Sequence, residues 1–300
     1  MKKPPAIIYS PDYKVDFGPH VFPTQKYGLI HDRLAESGLL TQADLLEPEP
    51  ATADDLALVH LPDYVRDFMN YEYTEAMITS ELPMSKEIRD FFLLATGGSI
   101  LAAREALALG AAVNINGGFH HAFPDHAEGF CYLNDPAIAL RKLKSEGMLQ
   151  RAAVIDCDLH QGNGTAAIFA RDPDVFTFSI HQENLYPVKV PSDLDIGLAD
   201  HTSDDEYLAK LQPAVAEVIE QANPELLCFV AGADPFEGDQ LGNLRLTKNG
   251  LALRDRVVLS ACKAKGIPVF VVLAGGYALN VEDVVDIHVS TISLMLELWR

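Results

Sequence analysis

Residues 154–165 read Val-Ile-Asp-Cys-Asp-Leu-His-Gln-Gly-Asn-Gly-Thr, an apolar strand that leads into two carboxylates, an imidazole and a glycine-rich turn. Side chains alternate between the faces of a strand, so Asp156, Asp158 and His160 are expected to point the same way at its end. Burying these groups together is costly unless a cation offsets their repulsion and lost hydration. The pattern predicts a divalent metal site. In the alternative, purely structural interpretation, the aspartates cap the strand end and His160 is a core histidine.

Short apolar runs along the chain have the character of buried strands. They are continuously apolar, as expected when helices cover both faces of a parallel sheet. The runs cover residues 6–9, 111–115, 152–155, 175–180, 226–231 and 269–273. Between them, polar residues that favour helix starts precede helical patterns. These starts are Ser85, Asn134 or Asp135, Thr202 or Ser203, and Thr247. The alternation predicts an α/β fold with one open, mainly parallel sheet flanked by helices, in a single domain over residues 1–300.

The composition indicates one large core. Of the 300 residues 48% are hydrophobic, and no linker or charge block interrupts them. The first residues contain too short an apolar run for a signal peptide, and no stretch approaches the length of a membrane span. We therefore expect a cytoplasmic protein without membrane association. The four cysteines lie far apart with no Cys-x-x-Cys pair, which argues against a thiolate metal site or a disulfide framework.

The formal net charge of −20 makes the chain strongly acidic. An acidic surface repels the phosphates of nucleic acids, so direct binding to nucleic acid is not expected. The charge is compatible with a cationic substrate. It does not indicate one by itself, because many soluble proteins are acidic for solubility alone.

Each segment that carries candidate catalytic or metal-binding residues directly follows a predicted strand. His120 and His121 follow the run 111–115, His160 follows 152–155, Asp234 and Asp239 follow 226–231, and Tyr277 follows 269–273. In open α/β sheets the binding crevice lies at the carboxyl ends of the strands. We therefore expect these four loops to meet in one site despite their separation in sequence.

Two further segments carry a family resemblance. Residues 116–135 read Asn-Gly-Gly-Phe-His-His-Ala-Phe-Pro-Asp-His-Ala-Glu-Gly-Phe-Cys-Tyr-Leu-Asn-Asp, and residues 231–242 read Ala-Gly-Ala-Asp-Pro-Phe-Glu-Gly-Asp-Gln-Leu-Gly. With residues 154–165 they resemble, in order, the histone deacetylase superfamily of zinc-dependent acyl-amine hydrolases. Loop lengths are most similar to the compact class IV and bacterial branch. The resemblance implies the arginase/deacetylase fold and hydrolysis of an acetyl or other acyl group from the ε-amine of lysine.

A hydrolytic zinc site needs about three protein ligands and one open position. Asp158, His160 and Asp239 supply such a set, and the resemblance places the family's ligands there. Gly238 and Gly242 flank Asp239 and would let its loop approach the metal. On its own, Asp239 is a common type of turn residue. Zinc is the expected metal, although Fe(II) suits the same ligands.

The resemblance also implies catalytic roles. His121 would be the general base for the attacking water and then the acid for the leaving amine, and His120 its electrostatic partner. Asp156 would hydrogen-bond to His120 and Asn163 to His121. Tyr277 would donate a hydrogen bond to the substrate carbonyl as it becomes an oxyanion. Read for structure alone, these are a surface histidine pair and a turn tyrosine.

The substrate tunnel is predicted less specifically. Phe130 and Tyr186 are candidates for its aromatic walls, with ordinary core packing as the alternative, and Gly129 can offer its carbonyl to the scissile amide N–H. The resemblance further implies a structural monovalent cation, expected to be potassium. Its predicted site comprises Asp156, Asp158, His160, Ser179 and Ile180.

Several functional alternatives remain open at this stage. The substrate could be an acyl-lysine protein or peptide, or an acylated polyamine as in acetylpolyamine amidohydrolases. A two-manganese ureohydrolase is disfavoured, because Gln161 and Gly162 follow His160 where a further same-face ligand is needed. A non-catalytic acyl-lysine binding module is a different class of hypothesis. The presence of the full set of expected catalytic residues argues against it. The oligomeric state is undetermined.

Overall fold

Strands and helices alternate along the chain, as the sequence predicts. The computed structural model describes residues 4–40 and 45–299. The strands are β1 (Ala6–Ile8), β2 (Leu45–Leu46), β3 (Ala111–Asn114), β4 (Ala152–Asp156), β5 (Val175–Gln182), β6 (Leu194–Leu198), β7 (Leu226–Val230) and β8 (Val269–Val272). The helices are α1 (Lys26–Glu36), α2 (Ala53–Leu56), α3 (Pro62–Met69), α4 (Glu75–Ile78), α5 (Lys86–Leu109), α6 (Asp135–Ser145), α7 (Asn163–Phe169), α8 (Asp204–Ala222), α9 (Lys248–Lys265) and α10 (Val281–Trp299).

The described residues form one sheet of eight parallel strands, in the order β2-β1-β3-β8-β7-β4-β5-β6. The predicted open parallel sheet is therefore confirmed, and every predicted strand begins at the expected residue. Strands β2 and β6 lie at the two edges of the sheet and were not predicted. Most of their residues are only half-buried, so neither strand shows the continuous apolar run that marks the others.

The predicted helix starts are confirmed by their caps. The side chains of Ser85, Asn134 and Thr247 accept backbone N–H hydrogen bonds in the first turns of α5, α6 and α9. Ser203 begins α8 with a capping box closed by Glu206. These polar side chains stabilise the helices because they satisfy amide groups that have no partner within the helix.

Helix α5 corrects the expectation that no stretch approaches the length of a membrane span. Its 24 residues and a mean hydropathy of 1.4 over an 18-residue window pass that test, but 61% of this window is buried. Ala102, Ala103 and Ala106 are among its fully buried residues. Small side chains let the helix pack closely on its neighbours, so its apolar character reflects a place in the core of the protein.

The register of the sheet brings four strand ends together. Asn114 at the end of β3 pairs with Val272 at the end of β8, and Val230 of β7 pairs with Val272 and with Asp156 of β4. All four strands therefore end at the same edge. The loops that follow them carry the predicted catalytic and metal-binding residues, so the expected convergence of these loops is confirmed.

Candidate active site

A compact cluster of potential metal ligands lies where the loops after β4 and β7 meet. Asp158, His160 and Asp234 each offer a ligand atom, and these atoms lie within 4.8 Å of one another. His160 Nδ1 is 3.3 Å from Asp158 Oδ1 and 3.3 Å from Asp234 Oδ2. All three residues are buried. Backbone amides orient them: Leu159 N–H donates to Asp234, and Gly275 N–H donates to Asp158.

The predicted ligands Asp158 and His160 belong to this cluster together with Asp234, which was not predicted as a ligand. The third predicted ligand, Asp239, lies close enough to feel the charges of His160 and Asp158, and burial raises the pKa of its carboxyl to about 6; its place at the metal stays a prediction. The carboxylate of Asp239 accepts hydrogen bonds from the backbone N–H groups of Leu241, at 2.9 Å, and Tyr277, at 2.7 Å. Asp239 therefore organises the loop of Tyr277.

The cluster has the properties of a cation site. Asp234 Oδ2 is buried and accepts no hydrogen bond from the described residues. Burial, together with the charge of Asp158, raises the pKa of Asp234 to about 7. An added Cβ at Gly275 would lie 2.7 Å from Asp158 Oδ2, so only glycine leaves this approach open. Two carboxylates and an imidazole with an unsatisfied oxygen fit a divalent metal ion.

Two buried histidines lie beside the cluster, each with its own partner. His120 Nδ1 donates to Asp156 Oδ2 at 2.6 Å, and His121 Nδ1 donates to Asn163 Oδ1 at 2.7 Å. The two Nε2 atoms are 3.1 Å apart. These are the pairings that the family resemblance implied.

The two imidazoles differ in charge. Burial by itself lowers the pKa of His120, but Asp156 and Asp158 outweigh it and raise that pKa to about 9. Burial and the charges of His120 and His160 hold the pKa of His121 well below its usual value. The carboxylates thus favour the cationic form of His120, whereas the surroundings of His121 favour its neutral form, an arrangement suited to proton transfer.

Tyr277 lies on the loop after β8 and faces the same space. Its ring packs edge-to-face on Phe22 and Phe130, both with centroids at 5.8 Å. Gln240 donates to the Tyr277 carbonyl, which together with Asp239 fixes the backbone of this residue. Its hydroxyl makes no hydrogen bond within residues 4–40 and 45–299 and is available to a ligand.

A narrow cavity of about 190 Å³ leads from the surface to these groups. Gly129, Phe130, Tyr186 and Tyr277 line it, together with His121 and His160 at its base. The ring of Tyr186 lies 5.4 Å from the ring of His121. Gly129 has φ +48, and an added Cβ there would lie 2.6 Å from the Tyr186 hydroxyl. The predicted tunnel residues therefore share one cavity with the predicted catalytic residues.

The comparisons with known proteins agree with this geometry. Residues 20–292 match the family model of the histone deacetylase domain. The chain belongs to the histone deacetylase family. It is 44% identical to an uncharacterized protein of Picosynechococcus sp., over 94% of this chain and 95% of that protein. It is 30% identical to histone deacetylase 2 of Arabidopsis thaliana, over 96% of this chain and 78% of that protein.

A solved structure of a histone deacetylase homolog complexed with SAHA has the same fold. It superposes with a TM-score of 0.85 at 25% identity, covering 98% of this chain and 84% of that one. The predicted superfamily is thus confirmed, and the chain is a hydrolase of the histone deacetylase family. The family is generally metal-dependent, and the Asp158, His160 and Asp234 cluster is the candidate metal site.

The residues of the predicted monovalent-cation site lie on neighbouring strands of this histone deacetylase domain. Asp156 of β4 is in register with Ser179 of β5. Asp156 Oδ1 accepts a hydrogen bond from the backbone N–H of Asp158, and Ser179 Oγ lies 2.9 Å from His181 Nδ1. Ile180 follows in the same strand. The structure brings these residues together, and the bound potassium ion stays a prediction.

Two buried cations support the site and were not predicted. Arg254 Nη1 on α9 donates to the carbonyls of Cys157 and Gly232, at 3.2 and 2.5 Å, in the loops that carry Asp158 and Asp234. Lys26 Nζ on α1 donates to the carbonyl of Ala274 at 2.7 Å. Both side chains are fully buried. Nothing in their local sequence shows that they reach these carbonyls, because the contacts join distant segments.

Proposed function

We propose that this chain is a zinc-dependent hydrolase that removes an acetyl or other acyl group from the ε-amine of lysine in a protein or peptide. The supporting observation is that one narrow cavity is lined by His160 of the metal-ligand cluster, by His121 and by Tyr277, whose hydroxyl makes no hydrogen bond within the described residues. That cavity suits an acyl-lysine, whose aliphatic chain is slender and whose amide is the only polar group at the far end.

Asp158, His160 and Asp239 would hold the metal, with the buried carboxylate of Asp234 beside them. Zinc is the preferred ion and Fe(II) an alternative. When bound, the ion would supply Lewis acidity that polarises water and the scissile carbonyl. The two carboxylates would balance its double charge. We further propose a structural potassium ion near Asp156 and Ser179.

The histidines would divide the proton transfers. His121 Nδ1 donates to Asn163, which leaves Nε2 as an acceptor for the proton of the attacking water. The same Nε2 would then return the proton to the leaving amine. His120, held as a cation by Asp156, would stabilise the negative charge that develops beside it. Tyr277 would donate its hydroxyl proton in a hydrogen bond to the forming oxyanion.

An acylated polyamine is the second candidate substrate. Glu81 lines the outer part of the cavity, and a carboxylate there would attract a second ammonium group of such a substrate. The net charge of −20 is compatible with such a cationic substrate. A cytoplasmic location is also proposed, in keeping with four buried free cysteines.

A substrate panel on the purified protein tests this function. Fluorogenic lysine peptides with acyl chains of increasing length and a set of acetylated polyamines would be assayed with and without a chelator. We expect chelator-sensitive release of the free amine, restored by added zinc. Product release from no member of the panel, or equal release by metal-stripped protein, would overturn the proposal.

A further inference from the structure

Glu128 occupies a place between the tunnel wall and the partner of His121. Its Oε1 accepts hydrogen bonds from Asn163 Nδ2, at 3.0 Å, and from the hydroxyl of Tyr186, also at 3.0 Å. The Glu128 side chain is only 20% exposed.

The backbone that carries Glu128 is held firmly. Glu128 and Cys131 exchange backbone hydrogen bonds of 3.1 and 2.9 Å, and Gly129 N–H donates to the carbonyl of Thr79. The direction of the carboxylate is therefore set by the fold. A carboxylate in this position constrains every group that hydrogen-bonds to it.

The constraint acts first on the amide of Asn163. A side-chain amide has one donor end and one acceptor end, whereas an ionised carboxylate can only accept. Glu128 therefore draws the nitrogen of Asn163 toward itself and turns the oxygen of Asn163 toward His121. The 2.7 Å contact between that oxygen and His121 Nδ1 then requires a proton on Nδ1. In a neutral imidazole this leaves Nε2 unprotonated.

We propose that Glu128 is a positioning residue that selects the tautomer of His121 through Asn163. The inference rests on the proposed function only in naming His121 Nε2 as the base; the tautomer itself is a property of the protein. Without Glu128, the amide of Asn163 could turn over and present its nitrogen to His121. A proton on Nε2 would then face the Nε2 of His120, 3.1 Å away, so a mixture of the two tautomers is expected. The share with a proton on Nε2 could not accept one from water.

The hydroxyl of Tyr186 gives the network a link to the cavity wall. It donates to the same oxygen, Glu128 Oε1, that receives the Asn163 amide. Tyr186→Phe should therefore loosen the wall but leave the tautomer of His121 unchanged, because the contact between Asn163 and Glu128 remains. This separates the two functions of Glu128.

Nitrogen NMR of the zinc-loaded protein with ¹⁵N-labelled histidine tests the proposal. The His121 signals would be assigned by their loss in His121→Gln. We expect His121 to be protonated at Nδ1 and unprotonated at Nε2 in the wild type, in Tyr186→Phe and in Glu128→Gln. In Glu128→Gln the side-chain carbonyl oxygen can still accept the hydrogen bond from Asn163. We expect a mixed or reversed tautomer in Glu128→Ala. A wild-type tautomer in Glu128→Ala would overturn the proposal.

Asp125→Asn is the matched control, because it removes one acidic charge from the same loop without touching Asn163. Asp125 pairs with Nδ1 of the partly exposed His126, whose Nε2 lies 3.5 Å from Glu128 Oε2, whereas Asn163 and Tyr186 contact Glu128 Oε1. The tautomer of His121 in Asp125→Asn should be that of the wild type. In the deacylase assay, Glu128→Ala should lower kcat about tenfold relative to Asp125→Asn. Absence of wild-type turnover would defeat the proposed function, whereas the NMR result decides the tautomer inference independently.

Discussion

The carboxylate of Asp239 accepts a hydrogen bond of 2.7 Å from the backbone N–H of Tyr277. The residue that the resemblance assigns to the metal thus also holds the backbone of the residue assigned to the oxyanion. Asp234, on the same loop, lies beside Asp158 and His160. Two aspartates of one short loop are therefore candidates for the third metal ligand.

Asp239→Asn and Asp234→Asn should differ in zinc affinity. Asp239→Asn removes the charge of a proposed ligand and should weaken zinc binding by about 100-fold or more. Asp234→Asn keeps an oxygen that can accept from the N–H of Leu159, so it should weaken zinc binding less. Metal content after dialysis against a weak chelator is the measurement. Zinc loss in Asp234→Asn with retention in Asp239→Asn would make Asp234 the third ligand instead.

Tyr277→Phe should retain the metal and lose most of its activity. Removing one oxyanion donor costs about 3 kcal/mol of transition-state stabilisation, or about a hundredfold in kcat. The ring still packs on Phe22 and Phe130, so the free energy of unfolding should change little. Steady-state kinetics, zinc content and thermal unfolding would be compared with the wild type. Near-normal turnover would remove Tyr277 from the mechanism.

Asn163→Asp should change the pH dependence of activity. A carboxylate beside His121 favours the imidazolium and raises the pKa of His121. Since the base must be unprotonated, the acidic limb of the kcat/KM profile should move to higher pH. In the single variant the new carboxylate faces Glu128, and their repulsion lets one of them hold a proton. The shift should therefore be larger when Asn163→Asp is combined with Glu128→Gln, and an unchanged limb in that double variant would reject the pairing.

Arg254→Met should destabilise the protein. It removes the ionic partner of the buried Asp255, whose Oδ1 lies 2.8 Å from Arg254 Nη2. It also leaves the carbonyls of Cys157 and Gly232 without this donor. Breaking a buried pair costs about 3–5 kcal/mol. Arg256→Met, two residues along α9, is the control, since Arg256 is half-exposed and contacts the exposed Glu297 at 3.5 Å. Chemical unfolding of the two variants should differ clearly; equal stability would show that Arg254 does not clamp the loops.

His60 should contribute to loss of stability in acid. Its Nδ1 donates to the carbonyl of Phe123, and its Nε2 accepts from the N–H of Asn134. Burial lowers the pKa of His60 to about 4. Below about pH 6.5 the unfolded chain binds a proton that the folded chain does not, so stability falls as the pH drops toward 4, by up to about 3 kcal/mol.

The slope of unfolding free energy against pH measures this effect. His60→Gln should show a shallower slope between pH 7 and 4 than the wild type, even if its stability at pH 7 is lower. His201→Gln, at an exposed position, should leave the slope unchanged. An equal slope in His60→Gln and the wild type would contradict the assignment.

Local sequence was sufficient for the fold and for most of the site. Buried parallel strands need continuous apolar runs, so all six such runs predicted strands that are present, and the edge strands β2 and β6 escaped because they are half-exposed. The side chains at strand ends could be placed at one edge of the sheet, since parallel strands end together. This argument placed His120, His121, His160, Asp234, Asp239 and Tyr277 at that edge, whereas the roles expected of them came from the family resemblance.

Tertiary structure alone decided which groups touch. Asp234 and Asp239 lie on the same loop, and the choice between them depends on how that loop packs against residues 274–277, which are distant in sequence. The contact of Glu128 with Asn163 spans 35 residues, and that of Arg254 with Cys157 spans 97. Side-chain hydrogen bonds act over about 3 Å. Their partners are therefore set by the packing of whole elements, which no local pattern of residues specifies.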